Sequence, residues 1–274
     1  PFKIIYRVLI IFFSSLLNIS FKYKINFGSS LFVYTFKNYS KSGLGGRGQY
    51  ILREGYDPFF KIGRKIFNDK FNFIDIGCSR GFFSMYLISL NRNVKGISIE
   101  PLDEAIRDFK EILRLNRVNS KKIQLIKGVI SNKDTQQDLY RVNDEHGYYS
   151  LARDVYFADK KIKKKLKVKS FTIDNLIINQ KKLNIVDFIK IDSEGAEYEI
   201  LMKCKKTIRK FKPIFLCEMT RKKKEILKFL KDFKYELYAI VDGKVINYTP
   251  RETSSDLFAI RKDSRFYKSF RNYL

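Results

Sequence analysis

From residue 71 onward, short apolar runs alternate with amphipathic stretches of roughly ten to fifteen residues, and no other feature narrows the fold as far. The runs are FNFIDI (71–76), VKGISI (94–99), IQLIKGVI (123–130), IVDFIKI (185–191) and PIFLC (213–217). Each is strand-length, and the amphipathic stretches over 82–91, 102–116, 195–206 and 221–232 read as helices. Strands separated by crossover helices form a parallel sheet covered on both faces. The end of the chain differs: YELYAIV, Asp242-Gly243 and KVINY make a hairpin signal, and DLFAI adds a further strand, so the sheet should finish on an antiparallel edge.

Composition fits one domain with extensions. The chain has 274 residues, 45% hydrophobic, enough for a single sizeable core. Cys78, Cys204 and Cys217 form neither a disulfide ladder nor a C-x-x-C pair, so a reducing cytoplasm is the expected setting and a structural zinc site is not. We expect an apolar and basic helical extension with its linker over 1–46, a catalytic domain over 47–262 and a basic tail over 263–274. In the extension, Val8 to Leu17 is too short to span a bilayer, which takes roughly 20 residues. It reads as a helix packed on the domain, then as one lying on a membrane surface, and last as a true anchor or signal. The glycine-rich SKSGLGGRG (40–48) lacks the strand before it and the GK[ST] after it that a phosphate loop requires, and reads as a connection.

The net charge is +26, densest in KKIKKKLKVK (160–169), KCKKTIRKFK (203–212) and RKKK (221–224). Such fields attract nucleic acid or anionic lipid. No RNA-binding signature accompanies them, so solvated lysines come first, peripheral contact with the inner face of a membrane second, and nucleic acid after that.

The first chemical motif is FIDIGCSRGFFS (73–84), with Asp75, Gly77 and Gly81 on the turn from a strand into its helix. Glycines there let a ligand approach the backbone, and the helix start presents free N–H groups. The spacing differs from the dinucleotide fingerprint, whose tight turn serves a pyrophosphate. Glu100 ends the next strand in GISIEP, where a carboxylate can accept both hydroxyls of a ribose. Two such motifs at neighbouring carboxyl strand ends predict an adenosine-type cofactor. The acidic strand end IKIDSEGAE (189–197) supplies Asp192 and Glu194, and LCEM supplies Glu218. Asp192 reads as base or orienting group, Glu218 as its second, and Glu194 as either functional or a helix cap. A metal is not expected, since neither D-x-D nor a neighbouring Asn is present. His146, in NDEHGYYS, reads as a surface residue, with a base from a loop as the alternative.

The sequence resembles the FkbM family of methyltransferases. FIDIGCSRGFFS, the IEP, SFTIDNLI (170–177), KIDSEGAEYEIL (190–201) and FLCEM (215–219) occur in that family's order over roughly 47–262. The resemblance implies a Rossmann-like class I methyltransferase, α/β, with a mostly parallel seven-stranded sheet, an antiparallel C-terminal hairpin strand and helices on both faces. It implies S-adenosyl-L-methionine as cofactor and O-methylation of a small molecule, sugar or glycolipid. Carried over, Asp75, Gly77, Cys78, Ser79 and Gly81 face the donor's methionine and sugar, Glu100 and Pro101 its ribose, and Val129, Ile130 and Ser131 its adenine. The chain departs from the family at Cys78-Ser79-Arg80, where an Ala-Asn-hydrophobic trio is commoner; Arg80 can serve the donor's carboxylate. The alternatives are an RNA methyltransferase using the same cofactor site, or a catalytically silent domain docking on membranes. Oligomeric state is not legible.

Overall fold

The computed structural model describes residues 21–26, 31–36, 58–91, 93–141, 149–151, 164–179, 183–241, 244–249 and 256–274. Three of the regions weighed above lie outside them: the apolar run 8–17, the connection 40–48 and His146. Within the extension expected to be helical, Phe21–Asn26 (β1) and Leu31–Phe36 (β2) form an antiparallel pair. FKYKIN carries the strand's period of two, which the sequence reading passed over.

After α1 (Pro58–Ile66), the expected order begins: β3 (Asn72–Ile76), α2 (Phe82–Leu90), β4 (Lys95–Glu100), α3 (Asp103–Leu115) and β5 (Ile123–Lys127). The strands β10 (Phe188–Ile191), β11 (Ile214–Glu218), β12 (Tyr235–Val241), β13 (Lys244–Asn247) and β14 (Asp256–Arg261) complete the main sheet. Its order is β13-β12-β14-β11-β10-β3-β4-β5. The five strands from β11 to β5 run parallel, and β14 is antiparallel to both β11 and β12. The seven-stranded core is as expected; β13 adds an eighth strand at the edge. The chain steps outward through β4 and β5, then returns to the other side of β3, so the topological switch point lies between β3 and β10.

Strand parity sorts the core. Phe73, Phe188 and Phe258 face one layer, where they meet Phe59 of α1, Phe67 just after it, Phe83 of α2 and Phe270 of the C-terminal helix α8 (Tyr267–Arg271). Ile74, Ile189 and Phe215 face the other, against α4 (Ile173–Asn179), α5 (Glu197–Met202), α6 (Lys205–Phe211) and α7 (Lys223–Asp232). Each such fully buried side chain contributes about 1.5–3 kcal/mol. The same parity puts Asp75 and Lys190 on the phenylalanine side, in register on adjacent strands.

Two expectations are corrected. The run 123–130 is not one strand: Gly128, at φ +151, breaks it, and a Cβ there would sit 2.6 Å from the Lys169 carbonyl. Beyond the break, β6 (Val129–Ile130) joins β9 (Lys164–Phe171), β7 (Gln136–Arg141) and β8 (Tyr149–Ser150) in a second sheet, order β6-β9-β7-β8. The helix expected over 195–206 divides at Lys203-Cys204 into α5 and α6. Residues 263–274, expected as a basic tail, pack on the domain, with Phe266 and Phe270 buried in the core and Arg265 gripping Asp187 through two 2.8 Å hydrogen bonds.

Candidate active site

The donor side is built by the turn after β3. Gly77 has φ +74, and a Cβ on it would lie 1.8 Å from the Asp192 carbonyl, so only glycine lets this turn touch the end of β10. Asp192 N–H donates to the Ile76 carbonyl (3.1 Å), and the N–H groups of Gly77 and Cys78 both donate to the Ile99 carbonyl at 3.1 Å. The turn therefore bridges β10 and β4. Ser79 N–H donates to Glu100 Oε2 (2.9 Å) and Leu102 N–H to Oε1 (3.0 Å), which fixes the carboxyl group in space. Burial pushes Glu100 up to about 7 against the pull of those two donors.

A cavity of about 240 Å³ opens beside this carboxyl group. Ser79, Arg80, Glu100 and Pro101 form its polar end, while Leu102, Val129, Ile130, Leu139 and Leu151 make an apolar slot. Asp192, Ser193 and Glu194 line it as well. Of the residues expected to hold the cofactor, Gly77, Ser79, Glu100, Pro101, Val129 and Ile130 line the cavity. Asp75, Cys78 and Gly81 sit beneath it. Asp75 is fully buried, its Oδ2 accepting from Ser84 Oγ at 2.5 Å, and burial raises its carboxyl. Its side chain points to the α2 layer, so it supports the turn from below. Burial also pushes the Cys78 thiol up, and that thiol donates to the Ser79 carbonyl at 3.7 Å. At Gly81 a Cβ would strike the Phe109 ring. Ser131 likewise turns away from the cavity, to Ser170 Oγ at 2.7 Å. Arg80 Nε reaches Asp108 Oδ2 at 2.5 Å, tying the turn to α3.

The acceptor side is acidic. Carboxylate oxygens of Asp192, Glu194 and Glu218 all come within 4.8 Å of one another, close enough to share a hard cation. Burial, then the charges of Asp192 and Glu194, push Glu218 up to about 9, so at neutral pH it carries its proton. Lys190 Nζ donates to Asp192 Oδ2 at 2.7 Å and lies 4.0 Å from Asp75 Oδ1, over the Phe83 ring. Burial opposes its charge, but the two carboxylates outweigh burial and raise Lys190. The sequence reading missed this residue, although a lysine inside the apolar run FIKI was its signal.

Glu194 is not the helix cap: the N-cap of α5 is Ala196, with no side-chain cap, and Glu197, the first helical residue, reaches back so that its Oε1 accepts from Gly195 N–H (2.9 Å) and Ser193 Oγ (3.0 Å). Glu194 instead stands at φ +53, a strained setting for a residue with a side chain, and Ser150 Oγ donates to its carbonyl at 2.6 Å. Ser150 and Leu151 come from the second sheet and its edge, so that sheet touches both sides of the site.

A switch-point cavity flanked by an acidic β4 end, under a parallel sheet with an antiparallel β14, is the arrangement of Rossmann-like class I methyltransferases. The methyltransferase FkbM domain model matches residues 75–237. The chain thus belongs to the FkbM methyltransferase family. Among solved structures, the FkbM methyltransferase of Methylobacillus flagellatus is similar at TM-score 0.47 and 14% identity, covering 78% of this chain and 52% of that one. This chain therefore spans about half the length of that protein. Precorrin-6y C5,15-methyltransferase of Geobacter metallireducens gives 0.42 at 12% identity, covering 74% of this chain and 85% of that one. TrmK of M. capricolum, in complex with S-adenosyl-homocysteine, gives 0.41 at 12% identity, with 73% and 66% covered. No curated protein matches. Among the described residues, no helix is long and apolar enough to cross a membrane.

The lining residues fit the class's donor. Glu100 offers a fixed carboxyl group for ribose hydroxyls, the apolar slot suits a flat base, and the Gly77 floor leaves room that a Cβ would fill.

Proposed function

We propose that this enzyme binds S-adenosylmethionine with its ribose on Glu100 and its adenine between Val129, Ile130, Leu139 and Leu151, and methylates a hydroxyl of a small molecule, sugar or glycolipid. The observation that carries this reading is Asp192, which lines the cavity while Lys190 holds its Oδ2 at 2.7 Å. When bound, the donor supplies a methyl group activated by a positive sulfur.

Lys190 fixes one oxygen of Asp192 and leaves Oδ1 for the acceptor's O–H. That hydrogen bond aims the oxygen lone pair along the cavity at the methyl carbon, replacing a chance encounter by a positioned one. As the O–C bond forms and the methyl's bond to sulfur breaks, its electron pair going to the sulfur, the proton would pass to Asp192 Oδ1, a transfer typically worth 10²- to 10⁴-fold. Glu218, protonated, donates a hydrogen bond into the same crevice and keeps its negative charge off Asp192. A carboxylate base suits a neutral hydroxyl, and the carboxylates of Asp192 and Glu194 repel a phosphate chain, which supports a small or glycan acceptor over RNA.

The reading is tested with Asp192→Asn. S-adenosylhomocysteine titration should give wild-type affinity, while transfer of labelled methyl to an acceptor found by screening falls at least 100-fold. Full turnover by the variant overturns the role of Asp192.

A further inference from the structure

Asp75, expected at the donor's face, lies outside the cavity and is fully buried. Its Oδ2 accepts from Ser84 Oγ at 2.5 Å. Ser84 has one proton to give, so Ser98 Oγ donates to it at 2.7 Å and fixes it in turn. Asp75 Oδ1 has no hydrogen-bond partner among the described residues and stands 4.0 Å from Lys190 Nζ. Asp75 and Lys190 are partners in register on β3 and β10, two residues beyond the pair Phe73 and Phe188. The same ammonium donates to Asp192 Oδ2 at 2.7 Å, so it stands between two carboxyl groups.

A lysine-rich composition does not account for this ammonium. Abundance fills surfaces, and the Lys190 side chain is 13% exposed, over the Phe83 ring. Stability does not account for it either, because replacing a buried ion pair by apolar residues of similar volume is often neutral or stabilising. The neighbouring pair in register is already apolar.

We propose that Asp75 is a positioning residue for the acceptor side: it anchors Lys190 from beneath, so that the ammonium holds one oxygen of Asp192 and leaves the other for the acceptor. Facing Asp192 alone, the ammonium is drawn between both of its oxygens, and the one that should receive the proton is occupied. Asp75 pulls from the other side and keeps Nζ at Oδ2. Ser84 and Ser98 keep Asp75 from turning away. The catalytic consequence rests on the proposed function of Asp192; the anchoring does not.

The test is Asp75→Asn, whose amide keeps an oxygen for Ser84 and turns its NH2 toward the ammonium. Crystal structures of wild type and variant should show Lys190 Nζ leaving residue 75 to lie between the two Asp192 oxygens. S-adenosylhomocysteine should bind both proteins equally. On an acceptor found by screening, kcat should fall about 100-fold with KM unchanged, the cost of a displaced group, whereas a merely structural residue leaves the kcat of the folded protein alone. Ser84→Ala, a milder change should Asp75→Asn fold poorly, should lower kcat about tenfold with cofactor affinity kept. An unmoved Lys190 or an unchanged kcat overturns the proposal. So does a loss of S-adenosylhomocysteine binding confined to Asp75→Asn, which assigns Asp75 to the donor. Full turnover by Asp192→Asn instead defeats the proposed function, and the position of Lys190 in the two structures still decides the anchoring.

Discussion

The donor and acceptor halves of the site sit at neighbouring strand ends yet are built in opposite ways. The donor half is made of backbone: a glycine turn, two N–H groups on one carbonyl, and one carboxyl group held by the N–H groups of Ser79 and Leu102. The acceptor half is made of ionisable side chains: the charged Lys190, Asp192 and Glu194 and the protonated Glu218, with Ser150 bracing the turn. Backbone donors cannot be lost by substitution and tolerate little movement. Side-chain charges can be altered one at a time, and each acts on the others through a partly buried medium. The donor half should therefore respond to changes in shape, and the acceptor half to changes in charge.

The largest effect expected is that of Lys190→Met. It leaves Asp75 fully buried without its nearest cation, which should cost about 3–5 kcal/mol in urea unfolding. Lys190→Arg should recover part of the loss. An unfolding free energy that Lys190→Met leaves unchanged would mean that the two halves are not joined through this ammonium.

Next comes pH. Glu100 is raised to about 7 from an ordinary 4.5, so the empty protein's stability from this group is complete below about 4.5 and is lost as pH rises through 7. Donor affinity should run the other way, because the carboxylate is the form that accepts ribose hydroxyls: it should weaken by up to about tenfold per unit below pH 7. Calorimetry at pH 6 and 8 checks the sign. An affinity flat across that range would break the assignment of Glu100 to the ribose.

The smallest effect expected is from Ser150→Ala. Losing its hydrogen bond to the Glu194 carbonyl should cost about 1 kcal/mol and leave donor affinity within about twofold. A loss of donor affinity far beyond that would show that the second sheet ties the halves together more tightly than one hydroxyl.

The donor half was legible because its residues are conspicuous: glycine spacing after an apolar strand and an acidic residue ending the next one are local signals. Lys190 was passed over because its meaning depends on Asp75, its partner in register on β3, and register is not visible in one strand. Glu194 and Glu197 both look like first-turn acids, and only the loop geometry shows that Glu197 opens α5 and holds the turn before it. Residues 132–169 carried no readable code because β7 and β9 pair across the chain, although KKLKVKSF alternates and its Lys165 and Lys167 both reach Asp138. The break at Gly128 depends on the Lys169 carbonyl, far along the chain, and so was equally hidden. At the C-terminus, basic residues concealed Phe266 and Phe270, whose burial comes from the tertiary fold.

The most direct test of the central claim is calorimetric titration of S-adenosylhomocysteine into wild type and Glu100→Ala. The structure predicts wild-type binding and about 100-fold weaker binding by the variant, the loss of two hydrogen bonds to a charged group. No binding by wild type, or equal binding by both, would contradict it.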